Sequence, residues 1–145
     1  MQNQKKISHL SALSLAAFLT IAAIPSHADA PYTVTNDGKA LDSNSYQGYT
    51  VFRQWCARCH GTFGQGSPKA PNLAESLATL SHQEYTKTVT SGQVSHARKV
   101  TKTGRMPAWK RNGAVMKNAD NIYSYLKARA DGAIGTVSPQ LAQQQ

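Results

Sequence analysis

Cys56, Ala57, Arg58, Cys59 and His60 bring both cysteines of this 145-residue chain and one histidine within five positions. Two thiols three apart, followed at once by an imidazole, make C-x-x-C-H, the spacing at which a c-type haem is attached. The thiols add to the two vinyl groups of a rigid porphyrin, and the adjacent histidine is held under the iron as its proximal ligand. Two other chemistries use a C-x-x-C pair. A four-ligand zinc site needs two further cysteines or histidines at close spacing, and His9, His27, His82 and His96 are scattered. A thioredoxin-type dithiol needs a βαβ pattern around it, and none is readable here. One covalent haem is the expectation.

A proximal histidine leaves the sixth position of the iron to be filled. A methionine thioether is neutral, favours Fe(II) and makes an electron-transfer site. Met106 and Met116 are the candidates, with His96 as a lesser rival. Met106 is preferred, because Gly104-Arg105-Met106-Pro107-Ala108-Trp109 reads as a loop that can project a side chain inward. Trp109 then offers a flat wall or an indole donor for a propionate. Met116 reads as a core residue near the start of the last helix.

The N-terminus reads as an export signal. Lys5 and Lys6 begin a positive region, residues from about Ile7 to Ile24 are mostly apolar, and Pro25 ends the run. Ser26-His27-Ala28 and Ala28-Asp29-Ala30 both resemble small-residue cleavage sites. Cleavage after Ala28 is preferred, since cleavage after Ala30 would leave Pro31 just beyond the scissile bond. Residues 1–28 are therefore expected to be a signal peptide, leading to a bacterial periplasm, and no later stretch is long and apolar enough to span a bilayer. Two of the sixteen Lys and Arg lie in the leader, leaving fourteen against seven acids, a net of +7 before haem propionates. A chain this small is marginal unless something else fills its core, and a buried haem would supply that volume.

The elements that must position these residues read as all-α with long loops. Residues 29–44 look extended, with a turn at Asn36-Asp37-Gly38-Lys39 and a short hairpin possible around it. Ser43-Asn44-Ser45 can cap a helix from about Tyr46 to Cys56, with Tyr46, Tyr49, Phe52 and Cys56 near one face and Gly48 inside it. Gly61 to Leu73 reads as a loop wrapping a flat ligand. Ser81-His82-Gln83-Glu84 is a capping box that opens a helix to Ser91, closed by Gly92. His82 reads as a solvated residue at its start. Gln93 to Arg105 reads as a polar, basic surface loop. A last helix is expected from about Asp120 to Ala130, with Asn118 as its cap, Gly132 as its stop, and Ile122, Tyr125, Leu126 and Arg129 on one face. The single domain is expected over 45–132, and 133–145 as a flexible tail.

These residues resemble the class I cytochrome c family. Gly48, Phe52 and Cys56 match the glycine, aromatic and first haem cysteine of that family's N-terminal helix, and Ile122, Tyr125 and Leu126 match the C-terminal helix that crosses it. Pro71-Asn72-Leu73 resembles the segment whose proline carbonyl accepts a hydrogen bond from the proximal histidine. More narrowly, C-x-x-C-H-G, A-P-N-L, T-S-G, M-P-A-W, N-x-x-V-M and I-Y-S-Y-L-K-A-R-A-D-G-A-I-G are similar to the methanol-metabolism-related c-type cytochromes, over about Tyr32 to Gly135. That resemblance implies a carrier taking electrons from a pyrroloquinoline quinone (PQQ)-dependent methanol or alcohol dehydrogenase and passing them to a cytochrome or terminal oxidase. It departs from that group in its strongly basic balance.

Several readings stay open at this point. The protein could be a general periplasmic electron-transfer cytochrome with no alcohol link. A haem sensor or a peroxidase would need a vacant sixth position, against which M-P-A-W argues. Electron transfer makes and breaks no substrate bond, so the expectation is a carrier and not an enzyme. Arg98, Lys99, Lys102, Arg105, Lys110 and Arg111 crowd the segment bearing Met106, with Lys69 in the opposite loop. They form either a face that steers an acidic partner or a solvated surface with no single partner. Nucleic acid is not expected as a partner in the periplasm.

Overall fold

The structure is a computed structural model that describes residues 30–94 and 105–143. The described residues form six helices and five two-residue strands, an all-α fold with a small sheet at one edge. No described helix is long and apolar enough to cross a membrane.

β1 (Val34–Thr35) and β2 (Ala40–Leu41) pair antiparallel, Val34 opposite Leu41. The turn between them takes left-handed φ at Asn36 (55°), Asp37 (51°) and Gly38 (79°). Asn, Asp and Gly are the residues that tolerate this conformation best. α1 (Ser43–Trp55) follows and starts three residues before the expected Tyr46. Asp42, not the serine run, is its N-cap. The Asp42 carboxylate accepts from the Asn44 and Ser45 amides at 3.0 Å each and from Ser45 Oγ at 2.8 Å. It satisfies more orphan donors than a hydroxyl could.

α6 (Ala119–Ala130) crosses α1, and this crossing is the centre of the core. A Cβ at Gly48 would lie 1.9 Å from the Asn121 carbonyl oxygen, so only glycine lets the two backbones meet. Phe52 and Tyr49 meet Tyr125 from either side, with ring centroids 5.5 and 5.2 Å apart. Tyr125 and Phe52 are fully buried. An interlocked aromatic set of this kind gives more than its buried area alone.

α2 (Ala57–His60) continues from α1 through Cys56. The loop after it ends in α3 (Leu73–Leu77), a single turn missing from the sequence reading. Asn72 caps it, accepting from the Ala74 amide at 3.0 Å, and its Nδ2 donates to Glu75 at 2.9 Å. α4 (His82–Ser91) opens on the Ser81–Glu84 capping box and stops at Gly92. His82 is exposed and pairs with Asp120 at 2.9 Å.

The stretch from Gln93 to Arg105 is not loop at its ends. β3 (Gln93–Val94) pairs antiparallel with β4 (Arg105–Met106), Gln93 opposite Met106. His96, Arg98, Lys99 and Lys102 lie outside the described residues. α5 (Gly113–Lys117) is a second unexpected short helix, capped by Asn112, which accepts from the Val115 amide at 3.0 Å. Asn118 stands at the N-cap of α6 without capping it. Its side chain instead donates to the Ala114 carbonyl and accepts from Asn121, at 2.9 and 3.2 Å.

The expectation of a flexible tail over 133–145 needs correction for its described part. Ile134 is 1% exposed. β5 (Gln140–Leu141) adds to β2 in parallel, with the Gln140 amide on the Lys39 carbonyl and the Ala142 amide on the Leu41 carbonyl, both at 2.8 Å. The tail pairs because the hairpin of residues 34–41 offers β2 an open edge, which no local sequence pattern announces. Within the segment expected to be extended, 29–44, the short hairpin held possible there is present as β1 and β2, and β5 makes it a three-stranded sheet.

Candidate haem site

Cys56, Cys59 and His60 share one helical turn. The Cys59 and His60 amides both donate to the Cys56 carbonyl, at 3.1 and 3.0 Å. Residues three and four apart on a helix lie on one face, so the two thiols and the imidazole stand together by local geometry alone. Both cysteines are half-buried free thiols. Burial pushes the Cys56 thiol up to about 12, with the Cys59 thiol beside it adding to the effect. A redox dithiol needs the opposite, a thiolate stabilised near neutral pH. Among the described residues, no group of three or more His, Cys, Asp or Glu is placed to hold a metal ion, as a zinc site would require.

His60 is buried, and its Nδ1 lies 3.1 Å from the Pro71 carbonyl oxygen. A carbonyl only accepts, so Nδ1 carries the proton and Nε2 keeps its lone pair free. Burial holds the imidazole below its ordinary pKa, and the Pro71 contact works weakly against that. The result is a neutral imidazole with one oriented donor atom, the state an iron requires of it. This donor set fits a covalent haem: two thiols for the vinyl groups and an imidazole with a fixed tautomer.

Met106 and Trp109 lie on a separate segment. Met106 sits on β4 and is half-buried against the hydrophobic core, as is Met116 on α5. The M-P-A-W segment is laid along the end of α4, with the Trp109 amide on the Val89 carbonyl at 3.0 Å. The Trp109 ring meets Trp55 edge-on at 5.9 Å. Trp55 directly precedes Cys56, so this contact brings the methionine segment to the cysteine turn. Arg105, Lys110 and Arg111 are exposed on this side, and Lys69 is exposed in the loop after His60.

Three residues that shape the site were not singled out for that role from sequence. Trp55 supplies the indole contact, and its Nε1 is buried with no acceptor among the described residues. Ser67 Oγ donates to the Cys59 carbonyl. Arg129 donates to the Phe63 carbonyl in the loop leaving His60. The signal for Arg129 was present: a charged residue on the otherwise apolar face of the last helix has to find acceptors there.

A C-x-x-C-H turn with a carbonyl-oriented histidine, on a glycine-crossed pair of helices, defines a c-type cytochrome by fold and site. Comparison with known proteins agrees. Residues 44–126 match the family model described as cytochrome c oxidase, cbb3-type, subunit III. The chain is 33% identical over 95 residues to cytochrome c-555 of Methylococcus capsulatus, covering 65% of this chain and 69% of that protein. It is 34% identical over 103 residues to cytochrome c-553I of Paracoccus denitrificans, covering 70% of this chain but 43% of that longer protein. It superposes on the crystal structure of the c-type cytochrome XoxG from Methylobacterium extorquens AM1 with a TM-score of 0.68 at 37% identity, covering 79% of this chain and 67% of that one. The chain belongs to the c-type cytochrome family, with the class I fold. It is an electron carrier and not an enzyme.

Proposed function

We propose that this protein is a periplasmic monohaem cytochrome that accepts electrons from a PQQ-dependent methanol or alcohol dehydrogenase and passes them towards a terminal oxidase. The single haem follows from the single C-x-x-C-H in the chain. Cys56 and Cys59 would hold it through thioethers, His60 and Met106 would be its iron ligands, and Trp109 would stand beside it. Once bound, the iron supplies a one-electron couple. The observation that carries this reading is the 3.1 Å contact from His60 Nδ1 to Pro71 O, which leaves Nε2 bare on the turn that bears both thiols.

The chain's own residues do the rest by holding still. Two ligand side chains held in place by the fold would need little rearrangement when an electron arrives or leaves. Pro71 fixes one ligand, and the β3–β4 ladder carries the other. The leader over 1–28 directs export, and the mature domain stays unanchored. Arg105, Lys110 and Arg111, with no acid between residues 105 and 111, give the methionine side a positive face suited to brief docking on an acidic surface. The alcohol link rests on the motif resemblance over Tyr32 to Gly135.

The test mixes the purified haem protein with a PQQ alcohol dehydrogenase from the same organism and follows its reduction when alcohol is added. Fast reduction that slows with salt supports both the donor and the basic face. No reduction, with a normal six-coordinate spectrum, would overturn the alcohol link and leave a general periplasmic carrier. Met106→Ala should lose the ferric methionine-to-iron charge-transfer band and gain avid carbon monoxide binding in the ferrous state. A variant that kept the band would move the ligand assignment to Met116, and a native protein without the band would move it to His96.

A further inference from the structure

Arg129 lies one residue before the end of α6 and divides its guanidinium between two backbone carbonyls. Nε donates to Phe63 O at 3.0 Å and Nη1 to Ile134 O at 2.9 Å. Two acceptors on one planar fork fix the group's orientation, which a lysine cannot reproduce. Phe63 belongs to the loop that leaves His60. Within that loop the Gly64 amide binds Gly61 O at 3.1 Å, the Gly66 amide binds His60 O at 2.7 Å and the Leu73 amide binds Gly64 O at 2.7 Å. These bonds set the loop's own shape. With Ser67 Oγ on the Cys59 carbonyl they tie the loop to α2, but none of them reaches α6. A Cβ at Gly64 would lie 3.3 Å from Leu126 Cδ2, so α6 stands close to the loop there, but a single apolar approach fixes no register. The Arg129 bond, spanning 66 residues, supplies a directional tie to α6.

The loop's far end carries Pro71, whose carbonyl meets His60 Nδ1. A chain of contacts therefore runs from Arg129 through Phe63 and the adjoining Gly64, across to Leu73, and back through Pro71 to His60. We propose that Arg129 is a positioning residue for the proximal histidine, holding this loop so that the Pro71 carbonyl stays on Nδ1 and thereby lowering the reduction potential. The inference rests on the haem reading of Cys56, Cys59 and His60. A firm Nδ1–H···O bond makes Nε2 a stronger donor, and a stronger donor favours ferric iron. Loosening the loop weakens that bond and raises the potential.

The experiment compares wild-type holoprotein with Arg129→Lys, Arg129→Gln and Lys127→Gln. Each is read by spectroelectrochemical titration and by deuterium exchange of the His60 Nδ1 proton followed by NMR. Arg129→Lys keeps the charge and loses the fork. It should raise the potential and speed exchange about fivefold, the scale of one ordinary hydrogen bond. Lys127→Gln removes a cation from the same helix, whose partner is Asp131 and not the loop. It should leave exchange unchanged. Arg129→Gln should exchange as fast as Arg129→Lys and show a higher potential than Lys127→Gln, which carries the test if the lysine variant does not accumulate. Unchanged potential and exchange in Arg129→Lys would overturn the proposal, as would an Arg129→Gln that behaves like Lys127→Gln, since Arg129 would then act by charge alone. A wild-type protein without a haem c spectrum would instead remove the reading beneath it, so the two failures are separable.

Discussion

The two sides of the candidate haem site are built with unequal redundancy. On the histidine side, α1 and α6 meet at Gly48, the Tyr49–Tyr125–Phe52 rings interlock, and the loop after His60 is bonded both to itself and to α6. On the methionine side, Met106 rides on a two-residue strand pair, two amide contacts to the end of α4 and one indole–indole contact. The difference teaches where each kind of disturbance should appear. Damage to the histidine side must pass through the shared core and so costs global stability. Damage to the methionine side opens locally, because few contacts stand between the closed and open arrangements.

The largest effect should come from Gly48→Ala. Its Cβ would stand 1.9 Å from one backbone oxygen and 2.8 Å from the Ile122 nitrogen, where no side chain can swing aside. The helices must part, and overpacking of this kind costs about 3 kcal/mol or more. Guanidinium unfolding measures it. A loss below about 1 kcal/mol would show that the crossing has slack and that the histidine side is not the rigid one. Ile134→Ala should follow, at about 2–4 kcal/mol for a large-to-small change at a buried position. The methionine-to-iron band of the native protein should survive it, since Ile134 is tied to Arg129 and Ala128 and not to the β4 segment.

Much of the histidine side was legible because its determinants are local or periodic. The C-x-x-C-H turn and the Ser81–Glu84 box are each written within five residues, and the Gly48–Phe52 and Ile122–Tyr125 spacings each within one helix. The short helices were not. α3 and α5 are single turns whose existence depends on Asn72 and Asn112 capping them, and five residues carry too little periodicity to register. Asp42 was passed over as a cap because the serines after it are equally good caps on paper. The choice was made by its carboxylate also reaching the Thr33 amide, at 2.7 Å. β5 was hidden for another reason: it pairs with β2 across about a hundred residues, and two-residue strands have no pattern to read. Ile134, Val137 and Leu141 are apolar alike in that stretch and only Ile134 is buried, so the sequence did not say which of them would pack.

A smaller and more local effect is expected at Gly92→Ala. Gly92 has φ of 72°, and a Cβ there would lie 2.5 Å from the Met106 carbonyl oxygen and 2.8 Å from the Ala108 amide nitrogen. Backbone strain of this kind costs about 1–2 kcal/mol, and the steric push falls on the segment that carries Met106. The expected result is a weakened ferric methionine-to-iron band and faster carbon monoxide binding in the ferrous protein, with a smaller loss of stability than Gly48→Ala. If Gly92→Ala lowered stability as much as Gly48→Ala while the band stayed intact, the contrast between the two sides would be wrong.

The smallest effect, and the one that separates charge from packing on the histidine side, is at Asp42. Burial pushes its carboxyl pKa up, but bonds from the Thr33, Ser45 and Asn44 amides and from Ser45 Oγ outweigh that and hold it below the ordinary carboxylate value. A carboxylate whose pKa is lower folded than unfolded stabilises the fold fully above its unfolded value, about 3.9. That contribution is lost as pH falls through the lower folded value. Asp42→Asn keeps an acceptor for the helix N-terminus but removes the charge. Because the site is largely solvated, the cost near neutral pH should be only about 0.5–1 kcal/mol. The gap between wild type and variant should hold from neutral pH down to about 4 and close below it, as followed by urea unfolding over a pH series. The Met106 band should be indifferent throughout, since Asp42 joins α1 to the N-terminal hairpin and makes no contact with the β4 segment. A gap that stayed constant into strong acid would mean that Asp42 stabilises α1 by shape and not by charge. The acid sensitivity of the histidine side would then have to come from another carboxylate, with Glu84 in its capping box the next to substitute.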